Sequence, residues 1–170
     1  MRNLTHFQLF IHSLLYPTRL AACRVLTIGK VIQYTFLLIT LMTIASFIQF
    51  LQDGFASITL YDEISSYMNG LEWLVYLLSI VLSFIINTLV LYAKISIYAY
   101  VGLIAGRFMQ KRIEYRFVWR TAAFVITWNV LLQIIFIFID LPNFIELLLP
   151  MLITLTYLYL ALTKYPKIKK

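Results

Sequence analysis

Four apolar runs constrain this chain more than any other feature. Residues 31–51, 118–139 and 144–162 each supply about the 20 mostly apolar residues that an α-helix needs to cross roughly 30 Å of hydrocarbon. A fourth run, 71–106, is longer than a crossing requires. Hydrophobic residues make up 62% of the chain and charged residues 12%, against about 45–50% and about 25% in soluble domains. Polar side chains are too few to cover a water-facing surface. The expected fold class is therefore all-α: a polytopic integral membrane helical bundle of four transmembrane helices, preceded by an N-terminal interfacial helix. One cysteine, Cys23, excludes an internal disulfide or a thiolate metal cluster.

As one helix, 71–106 would measure about 54 Å at roughly 1.5 Å per residue. It is either a single span continuing beyond the bilayer or two spans split near Lys94, and charge decides between them. With four spans, Arg2, Arg19, Arg24 and Lys30 share a side with Arg107, Lys111, Arg112, Arg116, Arg120, Lys164, Lys167, Lys169 and Lys170, which is 13 of the 14 basic residues. Asp53, Asp62, Glu63, Glu72, Asp140 and Glu146, six of the seven acids, fall on the other side. Basic residues near span ends are retained in the cytoplasm, whereas acids contribute little to that rule. The expected location is thus the cell membrane, multi-pass, with both termini cytoplasmic. Lys94 is expected near the inner headgroups, where its amine can snorkel to water.

The whole chain reads as one membrane domain. Residues 1–30 are a cytoplasmic interfacial segment, 31–51 the first span, 52–70 an extracytoplasmic loop and 71–106 the long second span. A basic cytoplasmic loop, 107–117, leads to the third and fourth spans, and 163–170 is a basic tail. Within 4–16, Leu4, Phe7, Phe10, Ile11, Leu14 and Leu15 recur at helical spacing over a length too short to span, the pattern of a helix lying in the interface. Pro17 ends or redirects it. Leu20-Ala21-Ala22-Cys23 imitates a lipoprotein cleavage box, but His12, Pro17 and Arg19 interrupt the apolar region such a signal needs; Cys23 reads as a small interfacial residue. Trp73, Tyr76, Tyr115 and Trp119 fall at span mouths, where amphipathic rings prefer to sit, while Trp128, mid-span, reads as a packing residue. In the outer loop, Asp53-Gly54 signals a turn. The neighbouring carboxylates Asp62 and Glu63 lack the further oxygen ligands a cation needs and read as a solvated face.

Polar residues within the runs follow helical spacing. Ser79, Ser83 and Asn87 recur every four residues and Lys94 continues their stripe. Asn129 and Gln133 share a face of the third span, and Ser46, Gln49, Thr35 and Thr43 add amides and hydroxyls to the first. Such groups point inward because hydrocarbon cannot satisfy them, and their ordinary role is interhelical hydrogen bonding worth about 0.6–2 kcal/mol each. The alternative makes Asn87, Asn129, Gln133 and Lys94 line a polar pathway, since ionisable residues inside membranes mark such routes. Ala99, Gly102 and Gly106 are small residues at helical spacing that permit close approach of another helix, or self-association. Pro150 frees the carbonyl of Glu146 and bends the last span, as a hinge or a packing device.

Catalytic patterns are missing. His6 and His12 are six residues apart on the interfacial segment, no span holds an internal carboxylate, and there is no HExxH, GxSxG or glycine-rich phosphate loop. We expect no catalytic, metal or cofactor-binding residues and no cofactor. The basic residues of 107–120 flank spans, so positive-inside retention accounts for them without nucleic-acid binding. Arg19, Arg24, Lys30, Arg107, Lys111, Arg112, Arg116 and Arg120 are instead candidate contacts for anionic lipid headgroups, at about 1 kcal/mol per residue near the surface.

Two blocks carry a family resemblance. The first is Phe7-Gln8-Leu9-Phe10-Ile11-His12-Ser13-Leu14-Leu15-Tyr16-Pro17, running on through Arg24, Ile28-Gly29-Lys30 and Tyr34. The second is Lys94-Ile95-Ser96-Ile97-Tyr98-Ala99 with Gly102, then Tyr115-Arg116-Phe117-Val118-Trp119-Arg120. Together they resemble a Gram-positive family of small membrane proteins of unknown function, some labelled maltodextrin-utilisation proteins, which is distantly similar to the Yip-type multispanning fold. Typical members carry a larger extracytoplasmic insert between the first two spans, and here only a short acidic loop stands in its place. The resemblance implies no catalytic residues. The expected function is a non-enzymatic accessory or assembly subunit of a membrane complex, possible partners being a transporter, another membrane protein or a second copy. The alternative is a small carrier or lipid translocator acting alone or as an oligomer.

Overall fold

The structure is a computed structural model and describes residues 10, 13, 26–54, 72–137, 139 and 142–166. Helix α1 is Ile28–Gln49, prolonged by a π-helical turn, Phe50–Gly54; α2 is Glu72–Phe108, α3 Tyr115–Val125, α4 Thr127–Phe136 and α5 Asn143–Thr163. No strand occurs among the described residues. Four helical segments are long and apolar enough to cross a membrane: Ile28–Gln52, Trp73–Phe108, Tyr115–Phe136 and Phe144–Thr163. The chain is thus an all-α membrane protein with four candidate spans. The expected interfacial helix lies outside the described residues except for Phe10 and Ser13, both helical. Arg19, Cys23, Arg24, both histidines and the Asp62-Glu63 pair also lie outside them.

The long second run is one helix. It holds no proline, and its first glycine is Gly102, so nothing removes a backbone donor or loosens the ladder near Lys94. The third run is a single span with a slight irregularity at Ile126, where ψ opens to −11°. The hydroxyl of Thr127 donates to the Phe124 carbonyl at 2.6 Å, while Ile126 N–H still reaches the Ala122 carbonyl at 2.9 Å and Val130 N–H the Ile126 carbonyl at 3.0 Å. A side-chain bond of this kind competes with the backbone ladder and bends a helix without breaking it.

The chain divides into two compact units, Met1–Leu38 with Tyr92–Lys170, and Ile39–Leu91. The larger unit has a core built on Tyr34, Phe124, Ile126, Leu158 and Leu162, all fully buried, with the Tyr34 and Phe124 rings 4.6 Å apart. Trp128 packs its ring against Tyr157 at 5.8 Å. Gly102 sits where helices converge: a Cβ there would lie 2.8 Å from Val118 Cγ1 and 3.1 Å from Leu158 Cδ2. The small-residue pattern therefore serves contacts within this chain, bringing α3 and α5 onto α2. In the smaller unit, α1 meets the first half of α2, with Phe47 edge-on to Tyr76 at 6.5 Å.

The end of α2 carries a second device. Lys111 N–H reaches back to the Gly106 carbonyl at 3.1 Å and Gln110 N–H to the Arg107 carbonyl at 3.0 Å, the paired bonds of a Schellman cap. Such a cap needs a left-handed residue, and Gln110 adopts φ 53°. Glycine has no Cβ penalty there. Gln110→Gly is expected to raise stability by about 1 kcal/mol, and Gly102→Ala to lower it by about 1–3 kcal/mol because stiff, buried Val118 must give way. Unfolding midpoints in detergent, followed by helical circular dichroism, check both directions.

Candidate functional site

Short connection 109–114 makes α2 antiparallel to the α3–α4 span, and that topology decides where Lys94 lies. Lys94 is 14 residues before the end of α2 and Asn129 is 14 residues after the start of α3. Counted from that connection, both sit at the same level, roughly 21 Å along their helices. Asn129 is also 7 residues short of the end of α4, so neither residue is at a span mouth. The Lys94 amine turns inward and donates to Asn129 Oδ1 at 3.5 Å. This corrects the expectation of a lysine snorkelling to the inner headgroups. A helix longer than the bilayer does not itself fix which residues lie at which depth; packing against the shorter spans does.

The cluster continues beyond Asn129, which is 4% exposed. Its Nδ2 donates to the Tyr98 hydroxyl at 3.5 Å, and that hydroxyl is hydrogen-bonded to Thr154. Thr154, fully buried near the middle of α5, donates its own proton to the Pro150 carbonyl at 2.6 Å. Because Thr154 has one proton and spends it there, Tyr98 donates to Thr154. Donation therefore runs in one direction, from the Lys94 ammonium through Asn129 and Tyr98 to Thr154 and a carbonyl beside the helix proline. Two of the three Lys94 donors find no acceptor among the described residues. No carboxylate of the described residues reaches Lys94 either: the described ion pair is Arg116 Nε with Glu114 Oε2 at 2.6 Å, far along the chain and exposed.

The expected polar stripe divides. Asn87 serves the smaller unit, where its Nδ2 donates to Ser46 Oγ at 3.2 Å and Thr43 Oγ1 at 3.5 Å, interhelical bonds between α2 and α1. Ser79 bonds back to its own helix at the Tyr76 carbonyl. Ser83 and Gln133 make no side-chain hydrogen bond among the described residues. Lys94 and Asn129 belong together. The sequence reading passed over Tyr98 and Thr154, although Tyr98 stands four residues from Lys94, the spacing that places two side chains on one helical face.

A second polar line runs through the larger unit. Ser13, Tyr34 and Thr127 are joined by hydroxyl contacts of 3.0 and 2.6 Å, all three fully buried. Thr35 contacts the Tyr92 hydroxyl at 3.2 Å.

Among the candidate lipid contacts, Lys111 needs correction. It is 9% exposed, and its amine donates to the carbonyls of Thr163 at 2.6 Å and Tyr165 at 3.0 Å. The last carbonyls of a helix have no intrahelical partner and attract a cation, so Lys111 closes the end of α5 rather than meeting headgroups. Arg112 N–H adds a bond to the Pro166 carbonyl at 2.9 Å. Arg120 is half-buried and donates to the Leu26 carbonyl at 2.9 Å, which ties the entry of α1 to α3. Arg107, Arg112 and Arg116 remain exposed, and Lys30 is half-buried. Lys111→Met is expected to cost about 1–3 kcal/mol by leaving two carbonyls without their charged donor, read as a lowered detergent unfolding midpoint with unchanged α2 helicity.

Comparison with known proteins gives one finding and two blanks. No curated protein matches the chain, and no solved structure does. A family model described as "Protein of unknown function (DUF1189)" matches residues 52–162, which includes α2 to α5 almost entire and all four members of the Lys94 cluster. That is more than half of the 170 residues, and the chain belongs to this DUF1189 family of unknown function.

Proposed function

We propose that the chain is a non-enzymatic accessory or assembly subunit of a bacterial cell-membrane complex, with both termini cytoplasmic. The observation that carries this reading is the surface of α2. Only 6% of its most apolar stretch is buried inside the chain, against 39%, 56% and 28% for the other three spans. Leu74, Leu77, Leu78 and Val81 line an open apolar groove of about 260 Å³ on that helix. Lipid tails cover such a surface adequately, but a helix given over to neighbours on nearly every side is also what a subunit offers to other spans. The resemblance to Gram-positive maltodextrin-utilisation proteins, and more distantly to the Yip-type fold, supports placing the complex beside a solute transporter.

A second reading has its own observation. The Lys94 cluster sets an amine, an amide and a hydroxyl inside the spans, and ionisable groups at such depth line routes for ions or headgroups in carriers. A small carrier or lipid translocator, alone or as an oligomer, would use it so.

Purification from native membranes in a gentle detergent separates the two. The assembly reading expects a partner at fixed stoichiometry through successive columns. A chain recovered alone, which then moves solute or lipid across reconstituted liposomes unaided, overturns it in favour of the carrier.

A further inference from the structure

The assembly reading is the premise here, and the Lys94 cluster gives its partner a chemistry. We propose that Lys94 is the docking point for a transmembrane helix of a different protein that carries an aspartate or glutamate within the membrane.

Three observations converge. The Lys94 ammonium has three donors, one long hydrogen bond to Asn129, and no carboxylate among the described residues. A charge left so inside hydrocarbon is costly, and intramembrane lysines pair with a partner or face a polar cavity. Depth then selects the partner. Lipid phosphates sit at the headgroups, whereas Lys94 lies 13 residues from Arg107, roughly 20 Å along the helix. A carboxylate on a spanning helix can stand at any level. A second copy of this chain cannot supply it, because Glu72 and Glu146 open their helices, Glu114 precedes α3, and the remaining acids lie at or beyond the ends of the apolar runs.

The third observation is the lane that leads away from the charge. Lys94, Ile97, Val101, Ile104 and Phe108 follow one another at alternating three- and four-residue steps, the seam along which a second helix packs. Ile97 is 62% exposed and Phe108 85% exposed, with Val101 and Ile104 exposed between them. The lane ends in an open groove of about 420 Å³ lined by Ile104, Arg107 and Phe108. Apolar surfaces alone give a helix little advantage over acyl chains in lipid, so the ion pair at the head of the lane supplies the discrimination.

The full chain, carrying a donor fluorophore on its C-terminal tag, is reconstituted in phosphatidylcholine vesicles with acceptor-labelled, leucine-rich peptides of a single span. One peptide bears a central glutamate and the other a glutamine. Energy transfer is expected to show the glutamate peptide binding about tenfold tighter, within the range of interhelical polar contacts in membranes. Lys94→Met should erase that difference and Lys94→Arg should keep most of it, with helicity by circular dichroism confirming the fold of each. Equal binding of the two peptides to the unaltered chain overturns the proposal, and that comparison decides even where Lys94→Met fails to fold. An advantage that survives Lys94→Met overturns it too. So does an advantage that vanishes when phosphatidylglycerol replaces part of the phosphatidylcholine, because a lipid phosphate then holds the amine. A chain that co-purifies with a stoichiometric partner yet shows no glutamate preference keeps the assembly reading and loses this one; a chain recovered alone loses the assembly reading whatever the peptides show.

Discussion

Hydrocarbon offers no hydrogen-bond partner, so each amide and hydroxyl in a span must find one within protein. Most of the hydroxyls here meet that demand locally. Thr43, Thr88, Thr154 and Thr156 each donate to the carbonyl four residues earlier, which satisfies the group and commits no neighbouring helix. Contacts between helices are fewer and fall at defined levels: Tyr34 with Thr127, Asn87 with Ser46, Thr121 with Tyr165 at 2.7 Å. Because apolar packing in lipid tolerates sliding more than these pairs do, they set the register of α1 on α4 and of the chain's end on α3.

The connection between α2 and α3 is built from the same requirement at a different place. Helix ends leave carbonyls without donors, and the ends of α2 and α5 meet in one short stretch of chain. Gly106 and Arg107 carbonyls are taken by the backbone cap, Thr163 and Tyr165 carbonyls by the Lys111 amine, and Pro166 by Arg112 N–H. Gly106 belongs to this arrangement, since a Cβ there would meet Ile113 Cδ1 at 1.9 Å. A basic loop that orients a membrane protein by its charge thus also closes a helix end by its geometry, and one residue, Lys111, does both.

Much of this was legible in the sequence, for a physical reason: crossing hydrocarbon demands length and apolarity, and both are local. The four runs, the unbroken character of 71–106 and the close approach at Gly102 all follow from residues near one another in the chain. What could not be read is what depends on distant residues. Ser83 and Asn87 share a stripe, yet only Asn87 finds a partner, because whether Ser46 stands opposite is decided by the register of another helix. Lys94 was placed by counting along its own helix, and a helix longer than the bilayer has no unique zero for that count. Lys111 looked like its basic neighbours because the carbonyls it meets lie more than fifty residues further on, in Thr163 and Tyr165.

Lys94 stands apart when the buried and half-buried cations are compared. Lys111 and Arg120 donate to main-chain carbonyls, acceptors that the fold must satisfy in any case, so each cation repairs a defect in the backbone. Lys94 donates to Asn129, a side chain that brings its own hydrogen-bonding demands into the membrane, and so repairs nothing. A lysine at a helix centre costs about 2.5–3.5 kcal/mol on insertion scales, whereas methionine of similar length would fill the same flank of α2 without that cost. Were packing the whole purpose, the pair Lys94 and Asn129 would be an expensive way to obtain it. Its orientation also matters: the amide oxygen faces the ammonium while the amide nitrogen faces Tyr98, so the donor chain is aligned away from Lys94 and leaves the positive charge uncompensated at its head. A fold that satisfies its other interior groups so thoroughly, and leaves this one charge open beside an exposed helical lane, is arranged to receive a negative group from outside the chain.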